Sequence, residues 1–181
     1  MADTDRERWD ARHAAVSGSA PMPPDGLRGR LELLPPGGRA LELACGRGSV
    51  AVWLAHQGFT VDGVDVSGAG LAAGAALAER SGVGERVRWV RADLDDGVPA
   101  SCTGPYDVVV CQRFRDTALY PAMAERLAPG GLLVVSVLSE VGDAGGPYRA
   151  PAGELAAAFP GLDVLAHTER DGEATLLARR T

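Results

Sequence analysis

The chain has 181 residues, 46% of them hydrophobic and 23% charged, with a formal net charge of −6. That is long enough for a single domain with a buried core, and no apolar run reaches the roughly 18–20 residues needed to cross a membrane. The acidic balance and scattered arginines argue against a nucleic-acid partner, which needs a basic footprint, and favour a small-molecule substrate.

Thr4-Asp5-Arg6-Glu7 has the pattern of a capping box and predicts a short polar helix to about Ala15. Residues 17–26 (SGSAPMPPDG) read as a loop, and Leu27, Leu31 and Leu34 recur at helical spacing until Pro35-Pro36-Gly37-Gly38. From Arg39 onward strands and helices alternate: strand 39–44, helix 49–57 with Gly58 behind it, strand 59–65, then a helix 69–80 after Ser67. Gly70 and Gly74 weaken that helix. Strand 87–92 leads to Asp93-Leu94-Asp95-Asp96, and strand 106–112 to a helix marked by Leu119, Met123 and Leu127. Strand 132–138 is apolar on both faces, as a central parallel strand should be. A Gly-rich loop (142–147), a short helix 153–159 and two strands, 162–168 and 174–179, complete the chain. The Asp171-Gly172 turn predicts a hairpin and an antiparallel last strand. Five β-α steps plus this hairpin define an α/β protein: a Rossmann-like, doubly wound, mostly parallel seven-stranded sheet with a C-terminal antiparallel strand. Residues 1–38 read as an N-terminal helical cap segment and 39–181 as the ligand-binding domain, one domain overall.

The absences exclude chemistry. The chain has no lysine, asparagine or isoleucine, so it has no Schiff-base lysine and no phosphate-loop lysine. Cys45, Cys102 and Cys111 form no C-x-x-C pair and His13, His56 and His167 no ligand spacing, so neither a disulfide framework nor a metal site is expected. The first ten residues carry both charge signs, unlike a signal peptide, and a reducing cytoplasm is the expected compartment.

The most informative stretch is Ala40-Leu41-Glu42-Leu43-Ala44-Cys45-Gly46-Arg47-Gly48-Ser49. An apolar strand carrying an acid turns through two glycines, where a ligand's close approach would forbid a Cβ. Gly46 to Ala51 satisfies G-x-G-x-x-[G/A], with Asp65 ending the next strand, so a nicotinamide-dependent oxidoreductase is one reading. Glu42 opposes it, because a carboxylate repels an incoming pyrophosphate but attracts an ammonium or sulfonium group. Asp93 beside Leu94 suits an adenine, with an acceptor for its amino group and an apolar face. For Glu42 the plain structural alternative is a salt bridge to Arg39, for Asp65 a helix cap, and for Asp93 a solvated turn.

Acids near the tips of three successive strands, with a terminal hairpin, resemble the class I S-adenosylmethionine-dependent methyltransferases. LELACGRGS, VDGVDVS, VRADL, YDVVVCQ and LAPGGLLVVSV match that family's motifs in order, from about Arg39 to Arg179. WDARH and PYRAPAGELAAAF further resemble small bacterial enzymes of the tellurite-resistance type. The resemblance implies S-adenosyl-L-methionine as cofactor. Gly46, with the Ala44 and Cys45 backbone, would pass beneath its methionine part, and Glu42 would steady its amino group. Asp65, followed by Val66, would take the ribose hydroxyls, while Asp93 and the Leu94 backbone would hold the adenine. Cys111 would face the methionine end through its carbonyl. Ala44 stands where the family's turn usually has its first glycine. Trp9 and Arg12 either close over the cofactor, Arg12 pairing with its carboxylate, or Trp9 merely anchors a helix.

The acceptor side is thinner. Gln112-Arg113-Phe114-Arg115-Asp116 follows the fourth strand, where arginines would bind an anionic substrate or simply face water, and Tyr148 and Arg149 follow a loop that could act as a lid. No catalytic residue is assigned, with His13, Asp116 and Tyr148 the nearest general-base guesses. The N/D-P-P-Y signature of amino-methyltransferases is absent. A non-catalytic module binding an S-adenosyl ligand is a further alternative, and a monomer or homodimer is expected.

Overall fold

A computed structural model describes residues 3–16, 18–142 and 145–181. Its regular elements are α1 (Asp3–Ala15), β1 (Gly38–Leu43), α2 (Ser49–His56), β2 (Phe59–Asp65), α3 (Gly68–Arg80), β3 (Val87–Arg91), β4 (Tyr106–Gln112), α4 (Tyr120–Glu125), β5 (Leu127–Leu138), α5 (Glu154–Ala157), β6 (Asp163–Arg170) and β7 (Glu173–Arg179). The strands form one seven-stranded sheet in the order β3-β2-β1-β4-β5-β7-β6. The order reverses after β1, the doubly wound arrangement expected from the alternation of elements. By its contacts the chain comprises two compact units, Met1–Pro23 with Pro36–Thr103, and Pro24–Pro35 with Gly104–Thr181.

In the first unit β1, β2 and β3 run parallel, Leu41 lying opposite Asp62 and Asp62 opposite Arg88. Asp62 is buried and accepts from Arg88 Nε at 2.7 Å, with Arg39 at 3.8 Å. The structure thus gives Arg39 to Asp62, in place of the sequence-level alternative of a bridge to Glu42. Ser67 caps α3, its hydroxyl accepting from the Gly70 amide at 3.0 Å.

Trp89, on β3, explains several glycines at once. A Cβ at Gly74 would lie 2.6 Å from the indole Cη2, one at Gly63 3.2 Å from its Cε3, and one at Gly48 would overlap the ring. Gly48 also has φ +72°. The helix-weakening Gly74 and the second glycine of the turn are therefore the socket of an indole. This corrects the reading of Gly48 as a ligand-facing glycine.

In the second unit β4 and β5 are parallel, and β7 lies antiparallel to both β5 and β6. Asp171 (φ +53°) and Gly172 (φ +79°) both occupy the left-handed region, as a type I′ hairpin turn requires. The helix expected from Leu27, Leu31 and Leu34 does not form. Two 3-10 turns, Asp25–Leu27 and Leu31–Leu33, replace it. Gly29 breaks the segment at φ +75°. A Cβ on Gly26 would meet Thr175 Cγ2 at 2.8 Å, so the backbone there must hug β7. Only Leu27 of the three leucines is fully buried. Thr4 lies inside α1 rather than capping it, β5 begins at Leu127, α5 is confined to Glu154–Ala157, and other boundaries move by a residue or two. Asp143 and Ala144, in the middle of the Gly-rich loop, lie outside the described residues.

Candidate cofactor site

The site is built at the C-terminal tips of β1 and β2, in the first unit. Ala44 (φ +54°) and Gly46 (φ +54°) are both left-handed, which turns the chain back sharply from β1 before α2. The Cys45 amide donates to the Val64 carbonyl at 3.0 Å and the Gly48 amide to the Cys45 carbonyl at 2.9 Å, so backbone bonds fix the turn. Asp65 staples it from β2. Its Oδ2 accepts from the Gly46 amide at 2.7 Å and its Oδ1 from the Ser67 amide at 2.9 Å. A carboxylate has about four acceptor positions, so two bonds leave capacity for a diol. Asp65 thus shapes the loop whatever it binds, a role that spacing alone did not disclose.

Glu42 is the anomaly of the site. It is only 4% exposed, and its Oε2 has no hydrogen-bond partner. Burial pushes its carboxyl up to about 8, opposed by the Ala51 amide and reinforced by the negative charge of Asp65. A buried acceptor without a donor is costly. A cationic ligand placed at this strand tip relieves it. Cys45 is buried, and burial, Glu42 and Asp65 all raise its thiol well above the ordinary range, so it is an inert packing group rather than a nucleophile.

On β3's side, Asp93 caps the 3-10 turn Leu94–Asp96 by accepting from the Asp95 amide at 3.0 Å, and Leu94 is buried. Val66 is half-buried, its carbonyl accepting from Arg91 Nε at 3.3 Å. Arg12 is exposed and lies over the Trp9 ring at 5.2 Å. Cys111 belongs to the second unit, at the end of β4, buried with its Sγ 3.8 Å from the Phe114 carbonyl oxygen.

Sequence reasoning gave His13 only as a guess at a general base, and it missed Asp10. The His13 ring is the neighbour a Cβ on Gly46 would meet, at 3.2 Å, and it stands equally close to Gly70. Burial holds this imidazole below its ordinary range, with Asp65 pulling the other way. Asp10 Oδ1 accepts from Ser67 Oγ at 2.6 Å and from the Ala69 amide at 3.0 Å. The WDARH run was the available signal, since Trp9, Asp10 and His13 share one face of a helix.

The residues expected to grip an acceptor are largely engaged within the second unit. Gln112 Oε1 accepts from the Asp25 amide at 2.7 Å, and Asp116 caps the next turn by accepting from the Ala118 amide at 2.9 Å. Arg115 forks onto Glu154 at 2.8 and 2.5 Å, and the Tyr120 hydroxyl donates to the same carboxylate at 3.2 Å. Arg149 donates to the carbonyls of Ser139 and Gly172. Tyr148 is exposed. Among the described residues no group of three His, Cys, Asp or Glu side chains could hold a metal ion, and no helix is long and apolar enough to cross a membrane.

The fold, with acids at three successive strand tips, is that of the class I methyltransferases. The profile of the methyltransferase-domain family matches residues 40–131, and the chain belongs to that family. Among curated relatives it is 29% identical over 108 residues to the ubiquinone biosynthesis O-methyltransferase of Psychrobacter cryohalolentis, covering 57% of this chain and 42% of that one. Among solved structures it is similar to TehB from Haemophilus influenzae, with a TM-score of 0.73, 16% identity, and coverage of 97% of this chain and 67% of that one. It is also similar to an S-adenosylmethionine-dependent methyltransferase from Geobacter sulfurreducens solved with S-adenosyl-L-homocysteine, with a TM-score of 0.64, 23% identity, and coverage of 88% and 73%. The chain thus spans less than half the length of the curated relative.

Proposed function

We propose that this chain transfers a methyl group from S-adenosylmethionine to a small-molecule acceptor. The orphaned Oε2 of Glu42 carries the reading. A buried carboxyl beside the turn ionises when a ligand's ammonium group arrives to pair with it, and gains nothing from a pyrophosphate. The residues present therefore fit the cofactor: Glu42 toward its amino group, the Ala44–Gly46 backbone along its methionine part, Asp65 toward the ribose, Asp93 and Leu94 toward the adenine. When bound, the cofactor supplies a methyl group already activated by sulfonium sulfur. What the protein adds is alignment and the exclusion of water.

The loop after β4 supports a reaction that asks little proton chemistry of it. Of the base candidates, Asp116 commits one oxygen to capping a turn and Tyr148 stands exposed, while Arg115 is held by Glu154. A soft acceptor such as a thiolate needs none. The O-methyltransferase relatives keep an oxygen acceptor as the competing case, in which a base from elsewhere would be required. The net charge of −6 favours a small molecule over a nucleic acid.

Thermal unfolding and calorimetry against a short ligand panel test the reading. S-adenosylhomocysteine should raise the melting temperature while NAD and NADP leave it unchanged. The reverse pattern would move the chain to the oxidoreductases.

A further inference from the structure

α1 is held onto the rest of the protein in an unusual way. One of its faces is screened from solvent: Asp5, Arg6, Trp9, Asp10 and His13 are half-buried, and every other residue from Glu7 to Ala15 is exposed. That face carries no aliphatic side chain. A helix of 13 residues is marginal on its own, and helices in proteins normally gain their stability from an apolar stripe. Here, apart from the half-buried Trp9 ring, the described attachments are polar bonds. Asp10 accepts from Ser67 Oγ and the Ala69 amide, and the Arg47 guanidinium donates to the His13 carbonyl and, at 2.9 Å, to Ser19 Oγ.

These attachments fall on the cofactor turn and its neighbours. His13 fills the space over Gly46, where the methionine part of the ligand is expected, and Asp10 takes donors two and four residues beyond Asp65. Docked α1 and bound ligand therefore claim the same surface. We propose that α1 is a displaceable strap: it occupies the cofactor turn of the free protein, with Asp10 as its latch and His13 as its plug, and must be lifted for the cofactor to bind. The inference rests on the assignment of the turn to S-adenosylmethionine. It makes the observed affinity the intrinsic one reduced by the fraction of molecules with the strap released.

Amide hydrogen exchange on the full chain, with and without S-adenosylhomocysteine, reads the strap directly. The ligand should protect the amides of Gly46 and Ser67 while exposing those of residues 7–13 to faster exchange. Asp10→Ala should accelerate exchange across α1 in the free protein. It should also raise both the association rate and the affinity for S-adenosylhomocysteine, by roughly tenfold for the loss of two charge-assisted bonds. His13→Ala should raise the association rate as well. Protection of α1 by the ligand, or weaker binding by both variants, would show that the helix is a fixed part of the binding surface and would overturn the strap alone. Binding by neither wild type nor variants would overturn the cofactor assignment, and the strap with it.

Discussion

The two units of this protein differ in how the acids beside their strand ends are met. In the second, side chains close on one another: Arg115 and Tyr120 converge on Glu154, while Ser139 Oγ and the Gly153 amide both donate to Glu169. In the first, Asp62 pairs with Arg88, but the carboxylates around the turn after β1 meet mainly backbone amides or nothing. Asp65 holds two loop amides, Asp10 holds a helix start, and Glu42 keeps an oxygen with no donor at all. A satisfied network stiffens a scaffold, whereas an unsatisfied buried acceptor leaves free energy for a ligand to recover. Ser136 Oγ and Glu173 Oε1 of the second unit are also buried without a partner, so what singles out the first is that its orphan oxygen, on Glu42, lies two residues before the left-handed turn at Ala44.

The largest way to break the first unit is to fill the Trp89 socket. Gly48→Ala puts a methyl group into the indole and a Cβ on a left-handed residue at φ +72°. Overpacking and backbone strain together should destabilise by about 3–5 kcal/mol. Denaturant unfolding measures the loss. Trp89→Leu in the same chain should restore the packing share and leave the share due to φ.

Next comes Glu42, where stability and binding should move in opposite directions. Its carboxyl titrates near 8 in the folded chain against an ordinary value of 4.5. Below pH 4.5 both states are protonated and nothing is lost. As pH rises toward 8 the unfolded chain gives up the proton first, so the stability contribution declines across that window and levels off above it. Glu42→Gln removes the decline. The variant should match the wild type near pH 4.5 and exceed it at pH 8 by on the order of 2–4 kcal/mol. The same change should weaken S-adenosylhomocysteine roughly tenfold through loss of an ionic hydrogen bond. Melting curves from pH 4.5 to 9, with titrations of the ligand, read both. A variant that loses stability at pH 8 would contradict the picture of a carboxyl burdened by its burial.

How far the sequence disclosed this arrangement depends on which interaction decides each element. β2 and β4 were placed to the residue, because β-branched and aromatic residues bounded by Gly58 and Ser67, and by Pro105 and Arg113, leave little choice. The DG turn fixed the terminal hairpin through a backbone requirement that few residues meet. Leu27, Leu31 and Leu34 failed as a helix because Gly26 must approach Thr175, 149 positions later in the chain, and no local pattern carries that contact. Glu42 and Asp65 were legible as an acid inside a strand and an acid at a strand end. That Asp65 binds loop amides, or that Gly48 serves an indole, was not, since both depend on a third element arriving from elsewhere. That Arg115 is engaged by a carboxylate was hidden for the same reason. Arg115 finds its partner 39 residues away.

Arg115 and Arg113 give the smallest and sharpest comparison, two arginines in one loop with different environments. Arg115 and Glu154 have side chains 27% and 19% exposed and make a two-pronged pair, and Arg115 holds the Glu154 carboxyl below its usual range. Arg115→Ala strands a partly buried carboxylate and should lower stability by about 2 kcal/mol. Arg115→Lys should recover only part, because an ammonium cannot reproduce the fork. Arg113, 66% exposed and 3.6 Å from Glu173, makes a screened surface pair. Arg113→Ala should change stability by less than about 0.5 kcal/mol. Neither substitution should alter affinity for S-adenosylhomocysteine, since the residues proposed to hold it, from Glu42 to Leu94, are untouched. Any change in methyl-transfer rate confined to Arg113→Ala would then identify Arg113, rather than its paired neighbour, as the arginine that meets the acceptor.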